Sequence, residues 1–328
     1  MKIVFSSSEF RRCALQSSHR FRCRWRGGMR GNMILEEIAE KTKERVRAEK
    51  RSVSLQEMKA LAVEARARLQ EEGRAAFPFE RALAKPGMSF ICEVKKASPS
   101  KGVIAEHFPY AEIAMEYEAA GADAISVLTE PFYFRGSNEY LSEIRRKVSL
   151  PLLRKDFTVD EYMIYQAKAI GADAVLLICA LLSPVQLAEY GEIARELGLS
   201  ALVEAHDERE VETALSAGAG MIGINNRNLK DFTVDIENSV RLRRLVPGNI
   251  LYVSESGMRT REHIARLEEN GTDGVLIGES LMRSPDKAGL LRELSAKGMK
   301  ILKSAKNADK ENLSHSPKNA RSAFFLEL

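Results

Sequence analysis

Cysteine is scarce in this chain. Four residues in 328 (Cys13, Cys23, Cys92 and Cys179) carry thiols, none in a CxxC spacing. Two lie in an Arg-rich leader and two in apolar, strand-like runs. Neither a disulfide framework nor a cysteine zinc site is expected, and a reducing compartment, the cytoplasm, fits. The five histidines are scattered without metal-ligand spacing, so no metal site is expected. No apolar run approaches the roughly 18–20 residues of a membrane span, and no membrane partner is expected. No GxGxxG follows a first strand, which leaves a doubly wound dinucleotide-binding sheet without its signature.

Acid is missing from one end. Residues 1–32 hold eight Lys/Arg and a single acid, Glu9, contributing +7 to a chain whose net charge is +4. The remainder is therefore −3, and a mildly acidic body argues against a nucleic-acid-binding domain. The leader fits a targeting segment, a basic arm or translated upstream sequence. The last fits best, because Met33-Ile-Leu-Glu-Glu-Ile opens a helix at once. From Gly298 to Leu328 the chain is rich in Lys, Asn and Ser and reads as a polar tail.

Between these ends the chain is ordinary in composition, 45% hydrophobic and 29% charged, enough for one large barrel. Ile34, Leu35, Ile38, Thr42 and Val46 form the stripe of a first helix. Ser54 with Glu57 forms the capping box of a second, over residues 54–72. A short segment around Ala82–Leu83 follows. A repeat then begins. Gly121-Ala-Asp123, Gly171-Ala-Asp173, Gly218-Ala-Gly220 and Gly271-Thr-Asp273 each end a helical pattern and precede an apolar run. Further strands fit midway, at Phe90–Val94, Pro151–Arg154, Ala201–Glu204 and Ile250–Ser254. Eight strands, each followed by a helix at about 25 residues per unit, predict a single α/β domain over 33–297. It is a (β/α)8 TIM barrel with extra N-terminal helices, residues 33–85, before strand one.

Catalytic groups of such barrels sit at the carboxyl ends of the strands, and charge collects there. Strand one ends in Glu93 and Lys95, which share a face with Ile91 because side chains alternate. It runs into a polar Ser98-Pro-Ser-Lys-Gly102 loop, and the arrangement fits a ligand rim and a solvated edge strand about equally. The other ends supply Thr129-Glu130, Arg154-Lys155-Asp156-Phe157, Glu204 with His206, Asn225-Asn226-Arg227, Ser254-Glu255-Ser256-Gly257 and Gly278-Glu279-Ser280. The last two turns suit phosphate, through backbone N–H groups near helix N-termini. Lys155, desolvated or crowded by Lys95, suits proton donation near neutral pH, and Glu204 suits proton acceptance. The structural alternatives are a Lys155–Asp156 salt bridge and a Glu204 pairing with Lys95 or Arg227. His206 reads as a residue of the next helix's cap, and Glu255 as a structural partner of a cation beneath the site.

Seven strings in order carry a resemblance. They are Glu93-Val-Lys-Lys-Ala-Ser-Pro-Ser-Lys-Gly102, Leu128-Thr-Glu130 with Phe134-x-Gly-Ser137, Arg154-Lys-Asp-Phe157, Leu202-Val-Glu204, Gly223-Ile-Asn-Asn-Arg-Asn-Leu229, Ser254-Glu-Ser-Gly257 and Ile277-Gly-Glu-Ser-Leu-Met282. From Met33 to about Ala296 the chain closely resembles the indole-3-glycerol phosphate synthases. The resemblance implies ring closure of 1-(2-carboxyphenylamino)-1-deoxyribulose 5-phosphate with loss of carbon dioxide and water, in tryptophan biosynthesis, without cofactor or metal. It implies Lys155 as general acid at the ketone and Lys95 on the substrate carboxylate, or as the dehydration acid. Glu204 would be the base, or the electrostatic partner, for dehydration, with Glu93 and Asn225 positioning these groups and the substrate hydroxyls. Arg227 would help orient the substrate carboxylate or the charge network, and Phe134 would pack the aromatic ring. Ser98, Ser256, Gly257, Gly278 and Glu279 would hold phosphate, and Ser98–Ile104 would be the lid. Other readings remain: an isomerase barrel such as phosphoribosylanthranilate isomerase, a Schiff-base aldolase using Lys155, or a nucleic-acid-tethered binder using residues 1–32. The expected partner is a phosphorylated small molecule, with no nucleic acid, and the expected state is a monomer.

Overall fold

The computed structural model describes residues 31–228 and 231–295. The polar tail, and all but the last two residues of the basic leader, lie outside them. Three helices come first: α1 (Gly31–Ser52), α2 (Leu55–Glu71) and α3 (Pro78–Leu83). Helix α1 begins two residues before Met33. On it Leu35, Ile38, Ala39, Thr42 and Val46 are buried, the three-and-four spacing of one helical face. Ser54 caps α2 as its sequence requires: the Glu57 N–H donates to Ser54 Oγ and the Ser54 N–H donates to the Glu57 carboxylate at 2.8 Å.

Eight parallel strands then close into a barrel. They are β1 (Ser89–Val94), β2 (Ala124–Leu128), β3 (Leu152–Lys155), β4 (Ala174–Ile178), β5 (Ser200–Ala205), β6 (Met221–Asn225), β7 (Leu251–Glu255) and β8 (Gly274–Ile277). β1 pairs with both β8 and β2, which shuts the ring. The loop after β1 is more ordered than its composition predicts. Ala97–Ser98 and Gly102–Val103 pair as a short antiparallel ladder.

The repeated Gly-Ala-Asp has a mechanical basis. The glycines Gly121, Gly171, Gly218 and Gly271 all adopt positive φ, between 74° and 95°, a conformation that costs other residues steric strain. Each aspartate then ties down the start of a neighbouring strand. Asp123 accepts from the Phe90 N–H (2.9 Å), Asp173 from Leu152 (3.0 Å) and Asp273 from Tyr252 (2.8 Å). Gly220, in the third repeat, brings no such carboxylate.

The barrel interior is layered by strand alternation. Ile91, Leu153, Leu176, Leu202, Val253 and Leu276 form one buried cluster with Phe79 and Leu83 of α3. Helix α3 thus plugs the amino end of the barrel with apolar side chains. Two residues further along β1, β3, β5 and β7 stand Glu93, Lys155, Glu204 and Glu255, which therefore also point inward, at the other end.

Helix α1 is tied across that end by a buried ion pair. Arg45 Nη2 donates to both Asp156 oxygens, at 3.0 and 2.9 Å. Asp156 also accepts from Thr129 Oγ1 (2.6 Å) and from its neighbour's N–H in Phe157 (2.8 Å). Burial pushes the Asp156 carboxyl up, but Arg45, Arg154 and Thr129 outweigh it and hold it below the usual aspartate value. The Asp156 contribution to stability is thus complete above the ordinary aspartate pKa and is lost as pH falls through the lowered one. Arg45→Ala should destabilise the fold by about 3 kcal/mol, because it strands a buried carboxylate. Urea unfolding near neutral pH measures this, and the deficit should shrink in acid.

Candidate active site

The carboxyl end of the barrel is where alternation delivers charge, and the charges meet there. Lys155 Nζ donates to Glu204 Oε2 at 3.1 Å and to Glu255 Oε2. Asn225 Nδ2 donates to the other Glu204 oxygen at 3.2 Å. Lys95 pairs with Glu93. Three carboxylates thus face two ammonium groups, all of them largely buried, an arrangement tolerable only because each charge is paired.

Both structural alternatives raised by the sequence are set aside. Asp156 is engaged with Arg45 and Arg154, on the other side of β3 from Lys155. Glu204 pairs with Lys155 rather than with Lys95 or Arg227. The lowered Lys155 pKa expected from desolvation is also corrected. Burial pulls it down, but Glu255, Glu204 and Glu93 outweigh burial and hold the ammonium well above its ordinary value. For Glu204, burial pushes up, while Lys155, His206 and two hydrogen bonds bring it below the usual glutamate value. Glu255 goes the other way. Burial, only partly opposed by Lys155, leaves it raised to about 7.

Two glycines make room for this cluster. A Cβ on Gly278 would lie 2.9 Å from Lys95 Nζ and 3.0 Å from Glu93 Cδ. A Cβ on Gly223 would meet the Glu255 carboxylate and lie 3.1 Å from Leu202 Cδ1. Gly278 therefore serves the charged pair of β1 as well as the turn it caps.

One cleft gathers the predicted residues. Glu93, Lys95, Ser98, Phe134, Lys155, Glu204, Asn225, Arg227, Ser256, Gly257, Gly278 and Glu279 all line it. Ser256 and Gly257 both take positive φ (67° and 98°) in the turn after β7. After β8, Gly278 caps a short helix, α4 (Glu279–Arg283), that precedes the longer Lys287–Ser295. The Glu279 side chain is itself drawn to cations: Arg283 Nε at 3.3 Å, Arg227 Nη2 at 3.8 Å and Lys101 Nζ, from the β1 loop, at 3.9 Å. Arg227 also donates to the Phe232 carbonyl at 3.2 Å, and its N–H to Asn225 Oδ1 at 3.0 Å. Asn226, next in sequence to Asn225, faces away from the cleft. It bridges Ser254, Ser239 and the Ser256 carbonyl, fixing the turn.

Phe134 is positioned by Glu130, whose buried carboxylate accepts the N–H groups of Phe132 (2.9 Å), Tyr133 (2.7 Å) and Phe134 (3.0 Å). Its ring lies 5.9 Å from that of Phe157. Sequence reasoning missed Phe157 as a wall of the cleft, and missed Ile34, Leu35 and Ile38, which α1 lays along it. The apolar stripe of α1 was visible, but nothing in it says that it faces a ligand. Glu255 was read as a structural partner of a cation, and that cation is Lys155. Its place in the cleft was available from alternation, since Val253 points inward.

Comparison with known proteins agrees with this architecture. A family model described as "Indole-3-glycerol phosphate synthase" matches residues 35–294. A protein of that name from Ruminiclostridium cellulolyticum is 55% identical over 262 residues, covering 80% of this chain and 98% of that protein. Another, from Endomicrobium trichonymphae, is 55% identical over 262 residues, covering 80% and 99%. Among solved structures, the 3-hexulose-6-phosphate synthase of Salmonella typhimurium superposes with a TM-score of 0.54 at 17% identity, covering 64% of this chain and 97% of that one. This last likeness is one of fold. With one relative spanned almost end to end at 55% identity, and the charged strand ends inside the matched region, the chain belongs to the indole-3-glycerol phosphate synthase family.

Proposed function

We propose that the family's decarboxylating ring closure is run here by Lys155 as general acid, with Glu204 and Lys95 completing the dehydration. The observation that carries this reading is the Lys155 ammonium, held between Glu204 and Glu255 at the centre of the cleft floor. A protonated donor is thereby in place before substrate arrives. Negative charge developing on the ketone oxygen meets a preorganised cation in a water-poor site. The ring carbon bearing the carboxylate bonds to the carbonyl carbon, the oxygen takes the Lys155 proton, and the carboxylate leaves as carbon dioxide. Dehydration then needs an acid at the hydroxyl and a base at the adjacent carbon. Lys95 suits the first and Glu204, held ionised, the second.

The remaining groups divide the substrate between them. Phe134, Phe157 and the α1 residues offer an apolar wall for its aromatic ring. Lys95 and Arg227 supply positive charge for its carboxylate. Ser98, Ser256, Gly257, Gly278 and Glu279 surround the phosphate, the turns after β7 and β8 contributing N–H groups as in other phosphate-binding barrels. Lys101 and Glu279 bring the β1 loop against the turn after β8, which suits a lid that excludes water. Every one of these groups comes from one chain, so a monomer suffices. Among the described residues no helix is long and apolar enough to cross a membrane, which accords with work in the cytoplasm.

The test is turnover of 1-(2-carboxyphenylamino)-1-deoxyribulose 5-phosphate, followed by indole absorbance. Lys155→Ala should lower kcat by about 10²- to 10⁴-fold, the range of a lost general acid. A variant close to wild type would transfer the role to Lys95. In Glu255→Gln the strongest electrostatic support of the Lys155 proton is gone, so Lys155 should deprotonate at lower pH. The alkaline limb of the kcat profile should then move toward neutrality. Glu130→Ala leaves three N–H groups without their acceptor and frees Phe134. KM should rise about tenfold, equivalent to about 1.4 kcal/mol, with a smaller change in kcat. Steady-state kinetics separates the two.

A further inference from the structure

The proton balance of the reaction points to a residue outside the active-site cleft. A carboxylate enters and neutral carbon dioxide leaves, so each turnover takes up one proton from water. Of the two protons leaving in water, one is balanced by the proton stripped from the adjacent carbon by Glu204. The other is the one Lys155 gave to the ketone. When Glu204 hands its proton on to reload a lysine, the site still ends each cycle one proton short.

A route for that proton lies beside Glu204. His206 Nε2 has Glu204 Oε1 as its charged neighbour at 3.5 Å and makes no hydrogen bond, although it is buried. On the other side Nδ1 meets Glu210 Oε2 at 3.0 Å, and the His206 N–H donates to the same oxygen at 2.8 Å. Asn238 holds the His206 carbonyl at 3.0 Å. Glu204 lines the active-site cleft, whereas His206 and Glu210 line a second, more polar cleft. Asn225 and Arg227 line both clefts and form the wall between them. The imidazole thus spans from the Glu204 carboxylate to the second cleft.

We propose that His206 relays the consumed proton from the second cleft to Glu204 and so to Lys155. This rests on the roles given above to Lys155 and Glu204. The imidazolium gives its Nε2 proton to Glu204 Oε1, and Glu204 Oε2 passes a proton to the neutral Lys155 amine 3.1 Å away. The neutral ring takes up a proton from water or buffer acid in the second cleft, and the hydroxide or buffer base left behind passes to solvent. Atoms and charge balance: His206 loses one proton, Lys155 gains one, and Glu204 ends as it began. The transfer runs downhill, since Lys155 is held strongly protonated. The ring is also poised to be charged. Burial pulls its pKa down, but the Glu210 hydrogen bond, Glu204 and Glu255 more than restore it above the ordinary histidine value. The other charged groups lining the second cleft are Asp207, Asp235, Arg227, Arg241 and Glu36.

The distinguishing measurement compares one turnover with many, using His206→Asn in the full chain. Lys155 starts loaded, so with enzyme in excess the variant should make its first product at the wild-type rate. In steady state and dilute buffer kcat should fall about ten- to a hundredfold, with KM unchanged. Added imidazole, a small proton carrier, should restore it. A loss in the single turnover equal to that in kcat would mean that His206 only orients Glu204, and would overturn the relay. An unchanged kcat would overturn it as well. Should His206→Asn not fold, Glu210→Gln tests the same route. It removes the carboxylate that keeps the ring charged, so the alkaline fall of kcat should move to lower pH without loss of single-turnover rate. Lys155→Ala, by contrast, should slow the single turnover by the same 10²- to 10⁴-fold expected for kcat. Its failure to do so would count against the acid assignment and not against the relay alone.

Discussion

A strand in a closed barrel has two directions for its side chains, and the residue two places on points the same way. In this chain that constraint does most of the building. An apolar inward residue on β1, β3, β5 and β7 is followed, two places later, by Glu93, Lys155, Glu204 and Glu255. None of the four can turn out to solvent without reversing its whole strand. They must face one another in the interior, and three acids collected around an ammonium stand in that interior only if each is paired. The Lys155 ammonium, shared between Glu204 and Glu255, meets this requirement. The Lys95–Glu93 pair completes it.

The rest of the molecule reads as support for that end. Helix α3 closes the opposite mouth with Phe79 and Leu83, so the layer beneath the charges is apolar and buried. Helix α1 is fastened across the charged mouth by Arg45 on Asp156, on the far side of β3 from Lys155. One strand therefore delivers two charges to opposite duties: Lys155 inward to the cleft, Asp156 outward to hold the helix that walls it. The stabilising pair and the reactive cluster are neighbours in sequence and do not compete.

Much of this was legible before any coordinates. All eight strands fall where the Gly-Ala-Asp repeat and the apolar runs put them, with ends shifted by a residue or so. The twelve residues singled out for the site all line one cleft. What the sequence hid has physical reasons. The sign of the Lys155 shift depends on how many carboxylates come within reach, and Glu255 lies 100 residues away. Desolvation alone, which a sequence suggests, gives the wrong direction. The α1 stripe looks like any core-facing stripe, since an apolar wall of a ligand cleft and an apolar core share one periodicity. The β1 loop looked like flexible polar chain because a two-residue ladder leaves almost no pattern. His206 was placed correctly near a helix start, but its ring's position between Glu204 and Glu210 is a matter of three dimensions.

The two carboxylates on Lys155 are not equivalent, and the difference bears on which does chemistry. Glu204 receives Lys155 on one oxygen and Asn225 on the other, with His206 close by. Its charge is satisfied on every side, and its pKa lies below the ordinary value. Glu255 has Lys155 on one oxygen only. Its Oε1 is buried without a partner, against the bare Cα of Gly223, and it is raised to about 7. Environments that push a pair of titratable groups apart are how one fold assigns acid and base. Glu204 is the group held ionised by its neighbours, which suits the part of base proposed for it. Glu255 is the group whose charge is soft near neutrality.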